Sequence, residues 1–237
     1  MALPEIATPT YTLTIPSTKK KVKYRPFLVK EQKLLILAME NEDQEQILDA
    51  ITNTIKACLI TNVDMATLAL FDIEYLFLQI RTKSVGEKVD CIVTCPDDNE
   101  STVTVSIPLD EIKVKKTRGH KPDIQLSEEC TITMGYPSLD MFVSMNFSGE
   151  DVGVDEVFKM AAACIKTIAD PNQVYVCADV PQKEIQEFFD DMNSAQFAKI
   201  QKFFDTMPKL THTVKVTNPN TGVESDVVLE GLASFFA

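Results

Sequence analysis

Glycine is scarce in this chain, with seven in 237 residues, and histidine scarcer still, with two. So few glycines leave no glycine-rich loop to cradle a phosphate. The one close pair, Gly149 and Gly153, brackets an acidic turn that would repel one. His120 lies in a basic stretch and His212 at a strand start, without a helical HExxH setting or a nucleophile motif nearby. No apolar run approaches the roughly 18 residues of a membrane span. The N-terminus, MALPEIATPTYTL, lacks a basic start followed by an apolar core, so no signal peptide is expected and synthesis in a cytoplasm is. Basic excess is lacking too: the net charge of −12 argues against nucleic acid, whose phosphates need a basic surface. Carboxylates do occur in pairs, Glu128-Glu129 and Asp190-Asp191, but adjacent in sequence, as on a solvated face.

What is present suits a folded protein. Apolar residues make up 45% and charged residues 24%, enough for one large domain or two small ones. The six cysteines, at 58, 91, 95, 130, 164 and 177, lie mostly in apolar surroundings, where a free thiol behaves as a small hydrophobe. Without a secretion signal, disulfides are not expected.

The most apolar helical stretch runs from Leu70 to Ile80, with almost no polar face, so its middle is expected to be enclosed. Arg81 and Lys83 fall in its last turn, opposite the negative end of the helix dipole, and Gly86 stops it. Asp64 is the candidate cap. Upstream, Tyr11–Ile15 and Lys21–Arg25 alternate around a break and predict a hairpin. A helix follows from about Val29 with a broad apolar face of Leu34, Leu35, Ile36, Leu37 and Met39. Glu40–Glu45 is a junction, and Ile47, Ile51, Ile55 and Leu59 give the next helix a core stripe. Val89–Thr94 and Thr102–Ile107 form a second hairpin.

Lys113–Lys121, KVKKTRGHK, reads as a basic linker. Beyond it come a strand over Asp123–Met134, a short helix from Pro137, a helix over Val154–Ile168 and a strand over Gln173–Ala178. Two more helices follow, begun by an Asp179/Gln182 capping box and by Asn193. His212–Val216 and Ser225–Leu229 make a third hairpin. The expected fold is α+β: helices packed against three antiparallel β-hairpins in two lobes. The expected division is 1–112, a basic linker at 113–121, and 122–237 ending in the third hairpin and an aromatic tail. Val93-Thr-Cys-Pro96 and Val216-Thr-Asn-Pro219 correspond, so the second and third hairpins look like copies of one unit.

Cys91-Ile-Val-Thr-Cys95-Pro96 is the one site-like pattern. Cys-Pro at a hairpin turn is the mark of a zinc knuckle, but the next ligand position holds Asp97 or Asp98 and the equivalent turn at Asn218-Pro219 has no cysteine. A degenerate knuckle held by packing is expected, with no metal ligand, cofactor or catalytic residue. The alternative is a metal-dependent or enzymatic module built on the Cys91/Cys95 hairpin. Partner-binding candidates are the two basic loops, Lys19, Lys20 and Lys21, and Lys113, Lys115, Lys116, Arg118 and Lys121. They suit an acidic partner. Phe235 and Phe236, at the chain end, are the candidate apolar anchor.

Three blocks carry a resemblance: Tyr24–Glu40 (YRPFLVKEQKLLILAME), Phe71–Val89 (FDIEYLFLQIRTKSVGEKV) and Val227–Phe236 (VVLEGLASFF). Together they resemble the baseplate hub proteins of T-even-like contractile phages, a group comprising the hub subunit and the hub assembly protein. The resemblance implies a non-enzymatic part of a tail baseplate, located in the virion and made in the host cytoplasm. Its partners would be other hub and tail proteins, with no nucleic acid and no membrane span.

Overall fold

The structure, a computed structural model, describes residues 6–40, 44–139, 141 and 154–235. Among these, six α-helices and eleven strands in small antiparallel sheets make the expected α+β mixture. In chain order they are β1 (Tyr11–Thr14), β2 (Lys21–Tyr24), α1 (Val29–Glu40), α2 (Gln44–Cys58), α3 (Leu70–Ser84), β3 (Lys88–Thr94), β4 (Thr102–Pro108) and β5 (Lys113–Lys115). Then follow β6 (Asp123–Gln125), β7 (Thr131–Met134), α4 (Val154–Ala163), β8 (Ile165–Ala169) and β9 (Val174–Val176). The last are α5 (Gln182–Asp190), α6 (Ser194–Thr206), β10 (Lys209–Thr217) and β11 (Glu224–Glu230).

Two compact units result, and their boundary is not the linear one read from the sequence. The first takes the chain up to Lys115 and again from Lys209; the second is Lys116–Pro208. Lys113–Lys115, expected as linker, is a strand that pairs with β10, Lys115 opposite Lys209 and Lys113 opposite Thr211. The third hairpin, β10–β11, therefore completes the first unit as a sheet of order β11-β10-β5. The second unit is an insertion in the chain between Lys115 and Lys209, which are paired on one rung of that sheet.

In the first unit α3 is the core, as its composition demands: Phe71, Ile73, Leu76, Phe77, Leu78 and Ile80 are all buried. Its start differs from the expectation. Asp64 caps a 3₁₀ turn at Met65–Thr67, accepting from the Ala66 N–H, while α3 itself begins after Ala69. Asp72, in the first helical turn, reaches back to accept the Ala69 N–H at 3.3 Å. It also accepts the backbone N–H of Ser17 at 2.9 Å and the Ser17 hydroxyl. One buried carboxylate thus caps a helix and fastens the β1–β2 turn to it. Arg25 fastens the other side, donating to Glu31 at 3.0 Å and to the carbonyls of Pro26 and Ala57.

Below α3 the β3–β4 and β10–β11 hairpins turn their apolar faces together. Cys91, Val93, Cys95, Ile107, Leu210, Val214, Val216 and Phe235 form one buried cluster with Leu78. A 3₁₀ turn at Leu232–Phe235 closes it, its first N–H donated by Leu232 to Glu74 Oε1 at 2.9 Å.

The second unit packs α4, α5 and α6 on a four-stranded sheet of order β6-β7-β8-β9. Two expectations give way here. Asp123–Met134 is a hairpin, not one strand, because the chain turns back where Leu126 N–H meets the Cys130 carbonyl. The helix expected to reach Ile168 ends at Ala163, and Ile165–Ala169 becomes β8. The apolar spacing fits a helix, but Ile165, Thr167 and Ile168 are β-branched, and the edge of β7 gives them strand partners. The Asp179/Gln182 capping box does not form: α5 starts after Pro181 with no side-chain cap. The Asn193 cap does form, paired with Gln196 in both directions. The short helix from Pro137 falls mostly outside the described residues.

Candidate functional site

The expected partner-binding residues separate into two kinds. Lys19, Lys20 and Lys21 are exposed at the β1–β2 turn, Lys19 in left-handed conformation at φ 58°. The Ser17–Asp72 bonds hold this tip in place. Lys113 and Lys115 stand exposed on the edge strand β5, and Lys116, Arg118 and Lys121 are exposed at the start of the second unit. None of these eight cations takes part in an ion pair among the described residues.

Phe235 is different. It is 0% exposed and fills the cluster beneath α3, so it anchors this chain's own fold instead of standing free for a partner. The reason is the Glu74 carboxylate. Burial pushes its pKa up, the Leu232 N–H draws it back, and that bond sets the terminal turn over the core. Phe236 lies outside the described residues.

The two hairpin tips of the first unit share one geometry. In the first, Cys95 N–H donates to the Ser101 carbonyl and Asn99 N–H to the Cys95 carbonyl, with Asn99 at φ 55°. In the second, Asn218 N–H donates to the Val223 carbonyl and Gly222 N–H to the Asn218 carbonyl, with Gly222 at φ 75°. Cys95-Pro96-Asp97-Asp98-Asn99 and Asn218-Pro219-Asn220-Thr221-Gly222 therefore match position for position. Both need a left-handed fifth residue, and glycine or asparagine is the residue that tolerates it.

The tips are also locked together. The Asn218 side-chain amide donates to both oxygens of Asp97, at 2.9 and 3.0 Å, and to Asp98 Oδ2 at 2.8 Å. Thr221 donates its hydroxyl to Asp97, and Asn220 donates to the Ser101 hydroxyl at 2.9 Å. A zinc ribbon would set thiolates at the first and fourth position of each tip. Here those positions hold Cys95, Asp98, Asn218 and Thr221. Burial, and the charges of Asp97 and Asp98, push the Cys95 thiol up, away from the thiolate a metal needs. Asn218 and Thr221 turn N–H and O–H donors to the Asp97 and Asp98 carboxylates, where a zinc ligand would offer the metal a lone pair. This donor set does not fit zinc; it fits a hydrogen-bonded clasp. No group of three or more metal-ligating side chains is gathered elsewhere among the described residues.

Other polar features are structural in geometry. His120, buried in the second unit, lies 3.0 Å through Nδ1 from the Thr206 hydroxyl and 3.1 Å through Nε2 from the Tyr136 hydroxyl. Thr206 gives its own proton to the Lys202 carbonyl, so Nδ1 carries the proton and Nε2 accepts from Tyr136. Burial and nearby Lys116 lower its pKa, and Phe203 and Tyr136 pack on its ring. A recess of ≈ 300 Å³ beside α5 is lined by Lys159, Cys177, Gln182 and Gln186 with apolar neighbours. Burial pushes the Cys177 thiol up too, so it is no ready nucleophile.

A family model described as T4 bacteriophage base plate protein matches residues 8–237. The chain belongs to that family. No curated protein and no solved structure matches it. The family match spans both units of this base plate protein, the inserted one included. Membership makes it a structural component of a phage tail, with other tail proteins as its partners. No helix among the described residues is long and apolar enough to cross a membrane.

The apolar face expected on α1 is also where the sequence reading stops short. Only Glu31 and Ala38 of that helix are buried, and Val29, Leu34, Ile36, Leu37 and Met39 are all exposed. Periodicity marks a surface that wants covering; it carries no sign of whether the cover comes from the same chain.

Proposed function

We propose that this base plate protein acts at the baseplate hub, as a hub subunit or as a factor that assembles the hub, through protein contacts and without catalysis. One observation carries the reading. The three blocks that resemble hub proteins fall on parts of the first unit, and two of them meet there. Glu74 of α3 holds Leu232 of the terminal turn, and Phe235 packs with Leu78 and Cys91. The blocks are thus pieces of one frame, and a shared frame supports a shared place in the machine. The protein is made in the host cytoplasm and joins hub partners there.

The contacts that charge can steer are the tip with Lys19, Lys20 and Lys21 and the run with Lys113, Lys115, Lys116, Arg118 and Lys121. On a body of net charge −12 these are local cationic sites without an ion-pair partner among the described residues, suited to an acidic protein surface. The test converts the five cations of 113–121 to glutamine and measures incorporation into hub complexes. The variant is expected to fold normally and to incorporate poorly. Normal incorporation would move the contact surface elsewhere. Recovery of the chain from purified virions makes it a hub subunit; its presence only in intermediates makes it an assembly factor.

A further inference from the structure

Five of the fifteen large apolar side chains exposed among the described residues belong to α1, a helix of twelve residues. Glu31 and Ala38 mark its inner side. At 100° per residue, Val29, Lys33, Ile36 and Glu40 fall within about 60° of one another on the opposite side, with Leu37 next to them. Val29 is 80% exposed, Ile36 49% and Leu37 46%. Three of the five exposed apolar side chains, Val29, Ile36 and Leu37, thus lie on or beside one outward face that also carries Lys33 and Glu40, while Leu34 and Met39 lie toward its flanks. Apolar residues between charged ones on one face are what one helix packs on another with.

The charges on the stripe say which helix fits. Lys33 and Glu40 stand about equally far on either side of a midpoint between Ile36 and Leu37. We propose that α1 pairs antiparallel with α1 of a second copy of this chain about a two-fold axis through that midpoint. Ile36 then meets Leu37 of the second copy. Lys33 faces Glu40 of the second copy, and Glu40 faces its Lys33, so both charges of the stripe are answered. A two-fold contact requires such self-complementarity. The parallel arrangement would set Lys33 against Lys33 and Glu40 against Glu40 and is disfavoured for that reason. Apolar contact supplies the affinity and the charge pairs the direction. The dimer goes beyond the hub reading and uses none of the basic residues assigned to it.

Sedimentation velocity over a concentration series tests the pairing, with circular dichroism melting as the control for folding. The wild type is expected to pass from monomer to dimer as concentration rises. Ile36→Glu, an exposed position, is expected to melt like the wild type and to weaken self-association about tenfold or more. Lys33→Glu is expected to weaken it as well. The charge-swapped double variant, Lys33→Glu with Glu40→Lys, restores the complementary pairs and is expected to dimerise like the wild type. A wild type that stays monomeric throughout overturns the proposal. So does a dimer that neither single variant weakens, or a double variant that fails to recover. A monomer that captures a different tail protein through α1 also overturns it, while leaving the hub reading intact.

Discussion

Asn218 holds Asp97 from the far side of the sequence, its amide 2.9 and 3.0 Å from the two carboxylate oxygens. Asp98 shares the same amide, so two adjacent carboxylates converge on one donor group. Like charges at that spacing repel, and the donors of Asn218, Thr221 and Ser101 offset the repulsion. Hydrogen bonds from Asn218 and Thr221 hold Asp97 below its usual carboxylate range, and bonds from Ser101 and Asn218 do the same for Asp98. The two hairpins that enclose Phe235 are joined at their tips by this clasp.

Removing the shared donor tests the clasp. Asn218→Ala is expected to lower the melting temperature by about 3–6 °C near neutral pH. A carboxylate whose folded pKa is depressed adds stability above its unfolded value of about 4, and loses it as pH falls through the folded value. The wild type should therefore lose stability steeply below about pH 4, and Asn218→Ala less steeply. Parallel melting curves down that range would show that the clasp does not couple to protonation.

Phe235 tests the terminal turn. Phe235→Ala removes a fully buried ring and is expected to cost about 3–5 kcal/mol in urea unfolding. An unchanged midpoint would show that the tail is not part of the core.

Leu76 tests the central helix. It is fully buried in α3, and Leu76→Asp places an unpaired carboxylate there at a cost of several kcal/mol. The variant is expected to be insoluble or unfolded. A soluble variant with wild-type melting would contradict the place given to α3.

The second unit should be sensitive to mild acid through His120. Its folded pKa lies below the unfolded value of about 6.5, so its contribution is present above that pH and lost as pH falls below it. Melting of the wild type is expected to fall between pH 7 and pH 5.5, in about the unfolded histidine range. His120→Phe keeps a ring against Phe203 and removes the titration, so its melting should be flatter over the same range. Equal slopes would assign the acid sensitivity to other groups.

How much of this was legible in the sequence depends on distance along the chain. α3, the β1–β2, β3–β4 and β10–β11 hairpins and the Asn193 cap rest on neighbouring residues, and local pattern finds them. The pairing of Lys113–Lys115 with Lys209–Thr211 joins strands separated by a whole folded unit, and a run of lysines with a glycine reads locally as linker. β8 was hidden because Val157, Phe158, Ala161, Ile165 and Ile168 keep helical spacing, while the strand depends on β7 and β9 lying on either side. The clasp was half visible: the matching Pro96 and Pro219 marked two like turns. That Asn218 would answer Asp97 and Asp98 needed the two turns in space. Phe235 read as a free end because nothing local ties it down; Glu74, which does, is on another element.

Cryo-electron microscopy of hub complexes isolated through a tag on this chain tests the central claim most directly. The account predicts density for both units, seated on hub proteins, with Lys113, Lys115, Lys116, Arg118 and Lys121 turned toward an acidic neighbouring surface. Recovery of the chain without any baseplate protein, from intermediates and finished tails alike, would contradict it.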